Sequence, residues 1–176
     1  MTDNLKDRRH DVLFRSRLSV RYHQRRVRFF DGCDLLAKGL TVLAGTSAIA
    51  ALWRDDPQLA AWITAGITTI TTLSLVCGVA TKARLHADLA RKYLELESLL
   101  VSNVNPTDQF LADIDGKIRL VESQEPPPLG ALVVICQNEL ARQDGQENYV
   151  VPLPIYKRWL AQFLDFQAPK PPVANH

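Results

Sequence analysis

Two apolar runs constrain this chain more than anything else in it. Residues 35–53 and 59–80 are separated only by Arg54-Asp55-Asp56-Pro57-Gln58. A helix of about 20 apolar residues matches a bilayer core of roughly 30 Å. The second run carries no formal charge. The first carries only Lys38, near its beginning, where the ammonium can return to the headgroup level along its own alkyl stem. A buried soluble hairpin is the competing reading, because small residues and threonines temper both runs. Two neighbouring runs of spanning length are nevertheless uncommon in so small a soluble domain. The expectation is an all-α membrane protein with an antiparallel two-span transmembrane hairpin, flanked by N- and C-terminal cytoplasmic helices.

Charge orients the hairpin. The formal net charge of +2 hides an asymmetry, because residues 1–30 hold nine Arg or Lys against three Asp. Lys82, Arg84, Arg91 and Lys92 follow the second run, whereas the turn has one arginine and two aspartates. Basic residues are retained on the cytoplasmic side, so both termini should face the cytoplasm. Trp53 and Trp62 flank the turn as interfacial anchors, Pro57 suits a first helical position, and Asp55 or Asp56 suits its cap.

Residues 1–31 form the first expected region, a basic amphipathic helix over 3–31. Leu13, Val20 and Val27 recur at seven, and Phe14, Leu18, Tyr22, Arg25 and Phe29 form a neighbouring ridge. Arg21, Arg25, Arg26 and Arg28 are candidates for contact with the anionic cytoplasmic membrane surface. Nucleic acid could use the same charge pattern, but the adjoining apolar run explains it more simply. Asp31 and Gly32 suggest a bend into a hairpin region spanning 32–81.

Thr64, Thr68, Thr71, Leu75, Gly78 and Lys82 share one side of the second run at helical spacing. Threonines there can pack against the first span, whose Gly39, Ala44, Gly45, Ser47, Ala48 and Ala51 permit close approach. They can also line a polar path if several copies surround an axis. Thr64, Thr68, Thr71, Gly78 and Lys82 are the candidate pore-lining set, with Lys38 and Lys82 near the cytoplasmic mouth. Neither run holds an acid or a histidine, which argues against a proton relay or ion-coupled transport.

The third region, 82–166, reads as cytoplasmic helices. The second span should continue past Ala80 as one rod, with a seam of Leu85, Leu89, Tyr93, Leu96 and Leu100. Asn105 as cap and Pro106 as first helical residue should start a return helix, with Phe110, Ile114, Lys117, Ile118 and Val121 on one side. That side could bury Leu89, Tyr93 and Leu96. Pro126-Pro127-Pro128 breaks the chain before a helix over 129–142. A last amphipathic helix over 154–166 presents Ile155, Trp159, Leu160, Phe163 and Phe166, of which Trp159 and Phe163 are candidates for docking a protein partner. Residues 167–176, with three prolines, read as a flexible tail.

Chemistry is sparse. The three cysteines fit neither a zinc pattern nor a secreted disulfide framework. His10, His23, His86 and His176 are scattered; His23 and His86 could both approach the cytoplasmic membrane surface, but no acid or cysteine is spaced to complete a metal site. Asp113 and Asp115 point about 200° apart on a helix. Phosphate loops, nucleophile elbows and zinc-helix motifs are absent from the sequence. No enzyme activity, cofactor or metal is expected.

The segment 21–30, Arg-Tyr-His-Gln-Arg-Arg-Val-Arg-Phe-Phe, precedes the hairpin, and 82–93, Lys-Ala-Arg-Leu-His-Ala-Asp-Leu-Ala-Arg-Lys-Tyr, follows it. With 118–128, Ile-Arg-Leu-Val-Glu-Ser-Gln-Glu-Pro-Pro-Pro, this order resembles the SLATT family of bacterial two-transmembrane proteins over roughly residues 10–165. The resemblance implies an oligomeric pore-forming or membrane-perturbing effector of an anti-phage or nucleotide-signalled conflict system. It also implies homo-oligomers in membrane lipid, triggered by a separate sensor or nucleotide-signalling protein, and it supplies no catalytic residues. The alternative is a non-conducting membrane anchor or adaptor that recruits a partner through its cytoplasmic helices.

Overall fold

The structure, a computed structural model, describes residues 3–167; within them nothing is described of the side chains of Ser47, Ala48, Ile49 and Leu52. It is all-helical. The helices are α1 (Asp3–Ala44), α2 (Ser47–Asp55), α3 (Pro57–Val76), α4 (Val79–Ser102), α5 (Asp108–Glu122), α6 (Gly130–Gln143) and α7 (Ile155–Leu160), with one 3₁₀ turn at Glu147–Tyr149. The expected tail lies outside the described residues except for its first residue.

Two compact units emerge, one of residues 3–25 with 87–167 and one of residues 26–86. The first, the core unit, is built by helical periodicity. Leu89, Tyr93, Leu96 and Leu100 of α4 recur at four, three and four, and all are buried. They form one cluster with Leu111, Ile114, Ile118 and Val121 of α5 and with Val12 and Val20 of α1. This is the expected return helix on the expected partners. Each fully buried aliphatic side chain contributes about 1.5–3 kcal/mol of transfer free energy. A second cluster joins Tyr22 of α1 to Ala131, Leu132 and Cys136 of α6 and to Ala161.

Helix ends in this unit are closed by specific groups. The Thr107 hydroxyl accepts the Phe110 N–H at 3.2 Å and makes Thr107 the cap of α5. The cap is therefore Thr107 rather than Asn105, and the first helical residue is Asp108 rather than Pro106, because a hydroxyl two residues after Asn105 can reach the free amide. Arg9 donates to the carbonyls of Leu100 (3.2 Å) and Asn103 (3.4 Å), placing a cation at the negative end of α4.

The second, apolar unit departs from expectation at three points. α1 continues through Asp31 and Gly32 without a break in the helix, since a single glycine costs only about 1 kcal/mol inside a helix. The first apolar run is split instead at Gly45-Thr46, between α1 and α2. Gly45 and Thr46 donate their N–H groups to Val42 (3.1 Å) and Leu43 (3.0 Å), and the Thr46 hydroxyl adds a bond to Leu43 O at 2.8 Å. The second run also ends early. Gly78 has φ +61°, a left-handed conformation that glycine adopts without a Cβ penalty, and it separates α3 from α4. The expected uninterrupted rod through Ala80 is thus two helices. Leu85, the first residue of the expected seam, is exposed.

Candidate functional site

The outstanding feature of the apolar unit is how little of α3 is covered. Among the described residues α3 is the one helix long and apolar enough to cross a membrane, and only 6% of that stretch is buried. Ala60 is its one buried residue, while Trp62, Leu73, Leu75 and Val76 are all more than half exposed. Leu35, Leu36, Val42 and Leu43 of α1 are equally bare. A soluble helix would turn such residues into a core; these face outward. At the turn Asp56 accepts the Leu59 N–H at 3.0 Å and Pro57 opens α3, as the sequence suggested. Trp53 and Trp62 are both exposed beside it.

The hydroxyl stripe is less regular than a straight helix would make it. Thr64 and Thr71 are half-buried and Thr68 is exposed. The Thr71 hydroxyl bonds to the carbonyls of Ile67 and Thr68, both at 3.0 Å. This internal bond satisfies the hydroxyl without water. Gly78 forms the break, and Lys82 belongs to α4, so the stripe does not continue in register from Leu75 to Lys82. Lys38 pairs with Asp34 at 2.5 Å, one turn earlier on α1. Gly39 and Gly66 would meet no neighbour within 4 Å if they gained a Cβ, so neither marks a close helix approach here.

The four candidate membrane-surface arginines divide. Arg21 donates to Gln143 and Arg25 to Glu139, both within the core unit. Arg26 lies over the Phe30 ring at 4.4 Å and the Phe29 ring at 5.5 Å, while Arg28 is exposed. Other N-terminal arginines are similarly engaged. Arg15 bridges Asp115 (2.6 Å) and Glu122 (2.8 Å), and Arg17 meets Glu97 at 2.9 Å. Burial would raise the Asp115 carboxyl, but hydrogen bonds and charge from Arg119 and Arg15 outweigh it and hold it below the ordinary value.

Sequence reasoning missed a buried polar cluster. His23 is 1% exposed, and its Nε2 lies 3.0 Å from Glu125 Oε1. The Tyr93 hydroxyl donates to the same oxygen at 2.5 Å. Burial, reinforced by the bond to Glu125 and by that carboxylate's charge, pushes the Tyr93 phenol well above the usual tyrosine range. Tyr22 turns its hydroxyl to accept the Leu129 N–H at 3.1 Å. The sequence allowed His23 to approach a membrane surface; it belongs to the face of Val12, Ser16 and Val20, all buried. Two polar members, Ser16 and His23, disguised that face. His86 is also buried, stacked on Phe30 at 5.7 Å.

The candidate docking residues Trp159 and Phe163 are both exposed, but they do not share one long helix. α7 ends at Leu160, and Phe163 sits in the following turn with its N–H on Leu160 O at 2.9 Å. Phe166 instead turns back edge-on to Tyr156. No protein-family model matches the chain, and no similarity was found to a curated protein or to a solved structure.

Proposed function

We propose that the chain is a two-span protein of the bacterial inner membrane, with both termini cytoplasmic, whose copies assemble into a pore or otherwise breach the bilayer. The observation that carries this reading is α3, a 20-residue apolar helix of which only 6% is buried. Lipid is the solvent that such a surface fits. The first span comprises the end of α1 together with α2. Its break at Gly45-Thr46 is compatible with a bilayer because local carbonyls and the Thr46 hydroxyl are bonded there. The cytoplasmic orientation follows from the basic residues before the first run and after the second.

Pore formation follows from assembly, since two spans cannot enclose a path alone. The exposed Thr68 and half-buried Thr64 and Thr71 supply hydroxyls, and Gly78 and Lys82 follow towards the cytoplasm. The order of segments resembling the SLATT family supports a role as an effector in a bacterial conflict system, opened by a separate sensor or nucleotide-signalling protein. The test is ion and small-dye efflux from sealed liposomes holding the full-length protein, with insertion checked by resistance to carbonate. Size-limited, protein-dependent efflux is expected; inserted protein that stays tight under every trigger supplied contradicts the pore.

The adaptor reading has its own support. Trp159 is 79% exposed and Phe163 66% exposed in the core unit, a costly display of aromatic surface. In that reading the hairpin only anchors the unit, and replacing both residues with alanine abolishes a stable complex without altering membrane insertion.

A further inference from the structure

The core unit contains an open cleft of about 790 Å³, within the size range of small-molecule sites. α6 contributes Asn138, Glu139 and Arg142 to it, and α7 contributes Ile155, Arg158 and Trp159. The wall between them is the extended segment at Val151. It is fixed by one buried side chain: Asn138 accepts the Val151 N–H at 2.8 Å and donates to the Val151 carbonyl at 2.7 Å. That two-point bond ties the Val151 segment to α6.

Its charge is uneven. Arg25, Arg142 and Arg158 line the cleft against the single carboxylate of Glu139. Arg25 is paired with that carboxylate. Arg142 and Arg158 form no ion pair among the described residues. Two unpaired guanidiniums offer forked donors suited to a phosphate. Beside them the Trp159 indole, 79% exposed, offers a planar apolar face. An inorganic anion would leave that face bare, and a neutral aromatic compound would leave the guanidiniums unanswered.

We propose that this cleft binds a small soluble organic anion that joins a phosphate to a planar aromatic ring, the phosphate held by Arg142 and Arg158 and the ring by Trp159. The site does not depend on whether the hairpin conducts. The full-length protein in detergent, with Trp53→Phe and Trp62→Phe leaving Trp159 as the one indole, reports on it by fluorescence. Adenosine monophosphate is the probe, with adenosine and inorganic phosphate for comparison. Saturable quenching is expected with the monophosphate, at least tenfold weaker with either comparison compound. Arg142→Ala with Arg158→Ala should weaken it tenfold or more while helicity by circular dichroism is unchanged. In a chain that keeps its other tryptophans, Trp159→Ala should weaken binding several-fold by equilibrium dialysis. Absence of saturable binding, equal binding of adenosine, or binding indifferent to the arginine pair overturns the proposal. So does a response to vesicles containing phosphatidic acid without any response to the monophosphate, which would make the cleft a headgroup site.

Discussion

His23 and Tyr93 stack with ring centroids 5.8 Å apart and address the same carboxylate oxygen of Glu125. The two residues lie on α1 and α4, and Glu125 follows α5. One buried polar cluster therefore ties together three segments that the aliphatic core also joins. A satisfied buried cluster fixes a unique arrangement, whereas a half-satisfied one is costly.

Removing Glu125 should be far more damaging than removing any surface ion pair. Glu125→Ala strips the acceptor from two buried groups and should cost about 2–4 kcal/mol. Tyr93→Phe should cost about 1–2 kcal/mol. Arg15→Ala should cost at most about 1 kcal/mol, since the Arg15 side chain is 39% exposed and solvent screens its pairs. Thermal unfolding in detergent, followed by circular dichroism, checks this order. An Arg15→Ala loss equal to that of Glu125→Ala would contradict it.

The raised Tyr93 phenol makes an alkaline prediction. Unfolded chains ionise tyrosine near pH 10, while the folded site keeps this one protonated. Stability from that site is complete below the unfolded value and falls as pH rises above it. Tyr93 should stay silent in a phenolate absorbance titration until the protein unfolds. In Tyr93→Phe protein that delayed step should disappear. Persistence of the late step in the variant would assign it elsewhere.

The fold was legible where side chains repeat by type. Leu89, Tyr93, Leu96 and Leu100 announced the buried face of α4, and Ile114, Ile118 and Val121 that of α5. The face of α1 was not, because Ser16 and His23 are polar yet buried, and a seven-residue line through Leu13, Val20 and Val27 drew attention away from it. The arginines were visible as a group, but their partners were about a hundred residues distant, as with Arg15 and Asp115. Chain breaks were the hardest to foresee. Gly32 stays helical and Gly78 does not, and the difference is the backbone angle each adopts rather than the residue. The apolar runs themselves were plain, but composition alone could not reveal the interruption at Gly45-Thr46. The cleft beside Arg142 and Trp159 had no linear signal, since it depends on Asn138 reaching Val151.

If the α3 hydroxyls line a conducting path, Thr68→Leu with Thr71→Leu should lower liposome efflux about tenfold while assembly and insertion persist. A polar lining replaced by isobutyl groups dewets and closes a narrow pore. Unchanged efflux from correctly inserted protein would remove these threonines from the lining.

The central claim, that the exposed apolar helices form a membrane hairpin with both ends on one side, is tested most directly by cysteine accessibility. In a chain whose Cys33, Cys77 and Cys136 are replaced by serine, Gln58→Cys reports on the turn and Gln124→Cys on the core unit. With a membrane-impermeant maleimide on spheroplasts, the account predicts labelling of Gln58→Cys in intact spheroplasts and of Gln124→Cys only after permeabilisation. Equal labelling of both positions before permeabilisation, or release of the protein by carbonate, would contradict it.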